Sequence, residues 1–100
     1  MICLTLMITR FTWDPTKAAS NLRKHGVSFE EAVTVFDDPR RLETYDLEHS
    51  LHEDRVDVIG FSHRMRLLMV VMYEQDHEII RIISARRATR AEGLRYFSEA

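Results

Sequence analysis

Four isoleucines in five positions, Ile79, Ile80, Ile82 and Ile83, constrain this chain more than any other stretch. β-Branched side chains suit a pleated, packed backbone, so the run predicts a buried strand. Arg81 interrupts it. With strict alternation, Arg81, Ile83, Ala85 and Arg87 share one face of that strand, and Ile80, Ile82, Ser84 and Arg86 share the other. Arg86, Arg87 and Arg90 then crowd its end. From Ile79 to Phe97 there are five arginines and one acid, Glu92, a local +4 inside a chain of net charge −2, which leaves −6 for the remainder. A charge reversal of this kind points to a surface for phosphate.

One hundred residues make one domain, and 45% apolar with 30% charged residues is ordinary for a globular chain. The single cysteine, Cys3, cannot pair internally, which fits a reducing, cytoplasmic setting. It and five scattered histidines lack the paired spacing of a zinc site. The apolar start, Met1 to Ile8, is well short of the roughly 20 residues a membrane span needs. It reads either as an extra strand or as an extension ahead of a start at Met7.

After a short extended piece, Phe11-Thr12-Trp13, the rest of the chain supplies helices first and the remaining strands second. Asp14-Pro15 opens a helix, the aspartate accepting from free first-turn N–H groups and the proline needing no donor at its position. Ala18, Leu22 and His25 form its stripe, and Gly26 ends it. Ser28 and Glu31 open a second helix as a capping box, with Phe29, Ala32, Val33 and Phe36 as its apolar stripe and Asp37-Asp38-Pro39 as its end. Arg41 to Tyr45, Arg55 to Phe61, Arg66 to Glu74 and the isoleucine stretch read as strands. Leu47 to Asp54 reads as a polar loop. Thr89 and Glu92 make another capping box, for a helix to about Ser98. The prediction is an α+β domain: two N-terminal helices, a four-stranded antiparallel meander and a C-terminal helix.

Phe11-x-Trp13-Asp14-x-x-Lys17, Asn21-x-x-Lys24-His25-Gly26-Val27-Ser28-Phe29-Glu30-Glu31-Ala32, Phe36-Asp37-Asp38-Pro39 and Arg81-Ile82-Ile83-Ser84-Ala85-Arg86-x-Ala88-Thr89 together resemble the BrnT toxins. The resemblance runs from about Phe11 to Phe97. It implies a RelE-like fold, an endoribonuclease activity that blocks translation, and neutralisation by a BrnA antitoxin carrying a ribbon-helix-helix domain, in a two-plus-two complex with no cofactor.

Metal-free RNA cleavage needs the 2′-OH deprotonated, the phosphorane oxygens stabilised and the 5′-oxygen protonated. Arginine suits the second task, being always charged and bidentate toward phosphate. Arg81 and Arg86 are the candidates for it, with Arg87 and Arg90 as RNA binders. A solvated basic strand end, or a salt-bridged Arg81, is the plainer reading. His25 is the candidate acid or base by its ordinary pKa. Its place on the Ala18–Leu22 stripe also fits a core histidine that closes the helix. Lys24 is a phosphate contact or a plain surface lysine. Tyr96 and Tyr73 stack on bases or pack in the core.

Two other functions compete with a ribonuclease toxin. One is a catalytically silent module that grips an antitoxin and acts as co-repressor, the acidic remainder of the surface meeting a basic antitoxin segment. The other is a general single-strand RNA binder, which needs aromatics interleaved with the basic residues. Only Tyr96 and Phe97 stand near the basic end.

Overall fold

A computed structural model describes residues 10–46 and 54–99. The expectations for the apolar start and for most of the polar loop lie outside the described residues. Five strands form one sheet: β1 (Arg10–Thr12), β2 (Leu42–Asp46), β3 (Arg55–Phe61), β4 (Leu67–Asp76) and β5 (Ile79–Arg87). Their spatial order is β1-β5-β4-β3-β2. The meander β2 to β5 is antiparallel as expected, but β1 joins its edge in parallel, so the sheet is five-stranded and mixed rather than four-stranded and antiparallel. The short extended piece expected at Phe11-Thr12-Trp13 is there, one residue earlier; its pairing with β5 is not legible, because three residues show no period that names a partner.

Helix α1 (Pro15–His25) follows β1 directly. Asp14 accepts a hydrogen bond from Thr16 N–H at 2.9 Å, Pro15 takes the first turn, and Gly26 closes the helix at φ 69°, where a side chain is strained. Helix α2 (Phe29–Val33) is shorter than the stripe suggests, because its last turn, Thr34–Asp37, tightens into a 3₁₀ helix. Ser28 caps α2 by accepting from Glu31 N–H at 3.0 Å. The reciprocal half of that box is not made. Glu31 is buried, and its carboxylate is held by Arg66 Nε at 2.9 Å, by Ser62 Oγ at 2.7 Å and by a second contact from Arg66 Nη2. The Arg66 guanidinium, followed by the Ser62 hydroxyl, outweighs burial and holds this carboxyl below its ordinary range. The pair pins α2 to the β3–β4 hairpin.

Both helices lie on one face of the sheet. Val27, Phe29, Ala32 and Val35 pack there on Val58, Leu68, Val70, Met72, Ile82 and Ala85. Helix α3 (Arg90–Glu99) crosses the other face at one end only, where Tyr96 packs with Ile59 and Met69 and against Phe61 and Leu67. Its box is complete: Thr89 N–H donates to Glu92 Oε1 at 2.8 Å and Glu92 N–H to Thr89 Oγ1 at 3.2 Å. Asp38 ties three elements together. Its carboxylate accepts from Phe61 N–H at 2.9 Å, Tyr96 OH at 2.6 Å and Arg40 N–H at 2.9 Å. Burial alone would raise the Asp38 pKa; these three donors together bring it below the ordinary value.

Strand β5 does not alternate strictly. Val71 pairs with Ser84 and the next residue, Met72, pairs with Ile82, so Ile83 is the extra residue of a β-bulge. The bulge shifts the facing of everything after it. Ile80, Ile82 and Ala85 face the helices, while Arg81, Ser84 and Arg86 face the other way, in place of the expected grouping of Arg81 with Ala85 and Arg87.

Candidate active site: the uncovered arginine row

Because α3 covers only one end of its face, the described residues leave the far end of the sheet open there. Strand register sets a row across that end: Asp46 opposite Arg55, Arg55 opposite Tyr73, Tyr73 opposite Arg81, and Arg81 beside Thr12. Adjacent strands lie about 4.8 Å apart, so the Arg55 and Arg81 backbones stand about 10 Å apart with Tyr73 between them. Two long guanidinium side chains at that spacing can close on one phosphate. Arg55, Tyr73 and Arg81 line a cleft of about 170 Å³, completed by Asp14 and Lys17 from the start of α1.

Arg81 is half-buried, and its hydrogen bonding is sparse. Among the described residues it makes no ion pair, and its bond to Thr12 Oγ1 is long at 3.4 Å. The Thr12 hydroxyl itself donates to Gln75 Oε1 at 2.9 Å. A guanidinium set into a sheet without a carboxylate keeps its bidentate fork for an incoming anion. Among the described residues, then, no carboxylate salt-bridges Arg81.

Arg86 behaves in the opposite way. Its Nη1 and Nη2 donate to the two oxygens of Glu92 at 2.9 and 2.8 Å, and Nη1 also meets the Arg87 carbonyl. Each partner stabilises the other's charged form: the Arg86 bond, ahead of an opposing burial effect, lowers the Glu92 pKa, and Glu92 raises that of Arg86. Arg86 therefore clamps β5 to α3 rather than offering a free fork. Arg87 and Arg90 are exposed at the same end. Six residues of strand separate Arg81 from Arg87, roughly 17–20 Å. The five arginines thus form no single cluster.

The remaining candidates also spread out. His25 and Lys24 are exposed in the last turn of α1. The core-histidine reading of His25 fails, since α1 turns its Ala18 edge to the core and leaves the last turn to solvent. Eight residues of helix put His25 about 12 Å along the axis from Lys17, which lines the arginine cleft. Tyr96 is only 4% exposed, its ring stacked edge-on to Phe61 and its hydroxyl given to Asp38. Burial and that neighbouring carboxylate push its pKa up to about 12. It is a core residue and offers no face to RNA. Arg55 and Lys17 were not legible as site residues. Only the strand register, and the position of α1 after β1, bring them to Arg81.

Asn21 is the residue that holds this strand in place. It is buried, and its amide nitrogen donates to the carbonyls of Ala85 at 2.7 Å and Val27 at 2.9 Å, while its oxygen accepts from Ala85 N–H at 3.1 Å. One side chain therefore does for Ala85 what a neighbouring strand would do, just beyond the reach of β1.

The model of the family described as ribonuclease toxin, BrnT, of type II toxin–antitoxin systems matches residues 13–92. The chain belongs to the BrnT toxin family. The 1.1 Å crystal structure of the Brucella abortus ribonuclease toxin BrnT has the same fold, with a TM-score of 0.61 at 20% identity, covering 82% of this chain and 99% of that one. Curated proteins yield no match. Membership makes this chain a ribonuclease toxin by family and gives it an antitoxin as partner. No helix among the described residues is long and apolar enough to cross a membrane. Nor do those residues hold a group of three or more His, Cys, Asp or Glu side chains placed to bind a metal ion.

Proposed function

We propose that the chain is a metal-independent endoribonuclease whose phosphate-binding centre is the row Arg55–Tyr73–Arg81. By cutting RNA in the cytoplasm it inhibits translation, and a BrnA-type antitoxin with a ribbon-helix-helix domain neutralises it in a two-plus-two complex. The observation that carries this reading is Arg81, half-buried on an uncovered sheet face with no acidic partner among the described residues.

The 2′-OH gives its proton to water as its oxygen bonds to phosphorus, the P–O5′ bond breaks to leave a 2′,3′-cyclic phosphate, and negative charge builds on the non-bridging oxygens in between. Arg81 and Arg55 meet that charge from two sides, in a site where fixed donors need no reorganisation. Lys17 and Tyr73 line the same cleft and are the donors for the leaving 5′-oxygen. The Tyr73 ring also offers a face on which a base can stack. His25 and Arg86 have no part in the step.

The test is growth on inducing the chain alone, beside Arg81→Ala at matched soluble level. Arrest by the first and growth with the second is the expected result. Arrest by both places the chemistry elsewhere, and arrest by neither favours the silent co-repressor.

A further inference from the structure

A cleft of about 960 Å³ is on the helix face of the sheet. The two arginines of the row, Arg55 and Arg81, do not line it, while Tyr73 borders both clefts. The floor of the large cleft is apolar: Phe11 of β1, Val56 of β3, Ile80 of β5, and Phe36, whose ring meets that of Phe11 at 5.2 Å. Its rim is acidic, with Asp37, Glu43, Asp54 and Glu74 against the single cation Arg41. Arg41 is already committed, bonding Glu43 at 2.9 Å and lying 6.0 Å from the Phe36 ring centre. Asp37 meets His63 Nε2 at 2.9 Å, and Tyr45 donates to Asp54. Glu74 is exposed and makes no hydrogen bond or ion pair among the described residues.

Such a surface repels a phosphate backbone, so it is no extension of the RNA site. An apolar floor inside an acidic rim instead fits a helix that lays aliphatic side chains inward and holds lysines or arginines at its edges. A helix is about 10–12 Å across with its side chains, so the volume accommodates roughly two turns. As a deepening of the proposed toxin–antitoxin function, on which it rests only for the existence of a protein partner, we propose that this cleft docks a basic amphipathic segment of the antitoxin. Neutralisation then includes a grip on the face opposite the catalytic row. The negative remainder of the chain's charge finds its use here.

The experiment titrates the ¹⁵N-labelled full chain with a short helical peptide carrying leucine at helical spacing and lysine at its flanks. The same peptide with glutamate for lysine, and a scrambled one of equal composition, are the controls. The double variant Glu43→Lys/Glu74→Lys is titrated in parallel, and RNA cleavage by each protein is measured alongside. The expected result is salt-sensitive binding of the basic amphipathic peptide only, with amide shifts at Phe36, Val56 and Ile80. The double variant then binds it about tenfold or more weakly, while cutting RNA at the normal rate. Equal binding of the scrambled or acidic peptide overturns the proposal, as do shifts confined to α3 or undiminished binding by the double variant. Binding that emerges only after removal of residues 1–9 also overturns it, and assigns the cleft to the chain's own first segment. A chain that binds the peptide in this way but cuts no RNA condemns the nuclease reading and leaves the docking site standing.

Discussion

Replacing Asn21 with alanine tests whether a single amide holds the site's strand. In an antiparallel ladder alternate residues turn their N–H and C=O away from the neighbour, and Ala85 turns both toward α1. Alanine at position 21 removes three hydrogen bonds of 2.7 to 3.1 Å, two to carbonyls and one from an N–H. A net hydrogen bond contributes about 1 kcal/mol, and a buried group left unsatisfied costs about 1–3 kcal/mol. Because the three share one side chain, and water can enter the gap, the sum is about 3–5 kcal/mol rather than the arithmetic maximum. A domain of this size has only about 5–15 kcal/mol in total. At about 5 °C per kcal/mol the melting temperature falls by about 15–25 °C. Asn21→Asp keeps the shape but aims a second oxygen at two carbonyls, and costs at least as much. Urea unfolding with both variants measures this, and the bonds concern packing alone. A loss below about 1 kcal/mol for Asn21→Ala refutes the reasoning. The Ala85 groups would then have another partner.

Other consequences are quickly checked. Glu31, Asp38 and Glu92 all have folded pKa values below their ordinary ones. Their stabilisation is therefore complete above about pH 5 and is lost as pH falls through the folded values, so thermal stability must decline on acidification below about pH 4. Arg86→Ala, leaving Glu92 partly buried without its fork, lowers stability by about 2–3 kcal/mol, yet well below the melting temperature it leaves RNA cleavage within a few-fold of normal. Gly60→Ala sets a Cβ at 2.9 Å from Val35 Cγ1 and 3.1 Å from Arg41 Cβ. Crowding of that kind costs about 1–3 kcal/mol in a melting experiment.

What the chain's sequence reveals is mostly local. Asp14-Pro15, Gly26 and the Thr89–Glu92 box are signals within one turn of backbone, and each sits where it was expected. The isoleucine strand was legible because four β-branched residues admit few alternatives. Its facing was not, since one extra residue at Ile83 leaves the composition unchanged and only the pairing with Val71 and Met72 exposes it. The same holds for the site. Arg81 and Arg86 look equivalent as arginines of one strand; only the fold shows that Glu92, six positions on and around a turn, claims Arg86. Arg55 is 26 residues from Arg81 and meets it only through the strand between them. Tyr96 misled because an aromatic beside arginines looks like a stacking surface. Asp38, which takes its hydroxyl, is 58 residues away.

The most direct measurement is single-turnover cleavage of a single-stranded RNA by the purified chain, by Arg81→Ala and by Arg86→Ala, each confirmed folded by its melting curve. Loss of one transition-state donor costs about 10²–10³ in rate. That loss is expected for Arg81→Ala, with near-normal cleavage by Arg86→Ala. Near-normal cleavage by Arg81→Ala, with the loss falling on Arg86→Ala, contradicts it and moves the chemistry to the other end of β5.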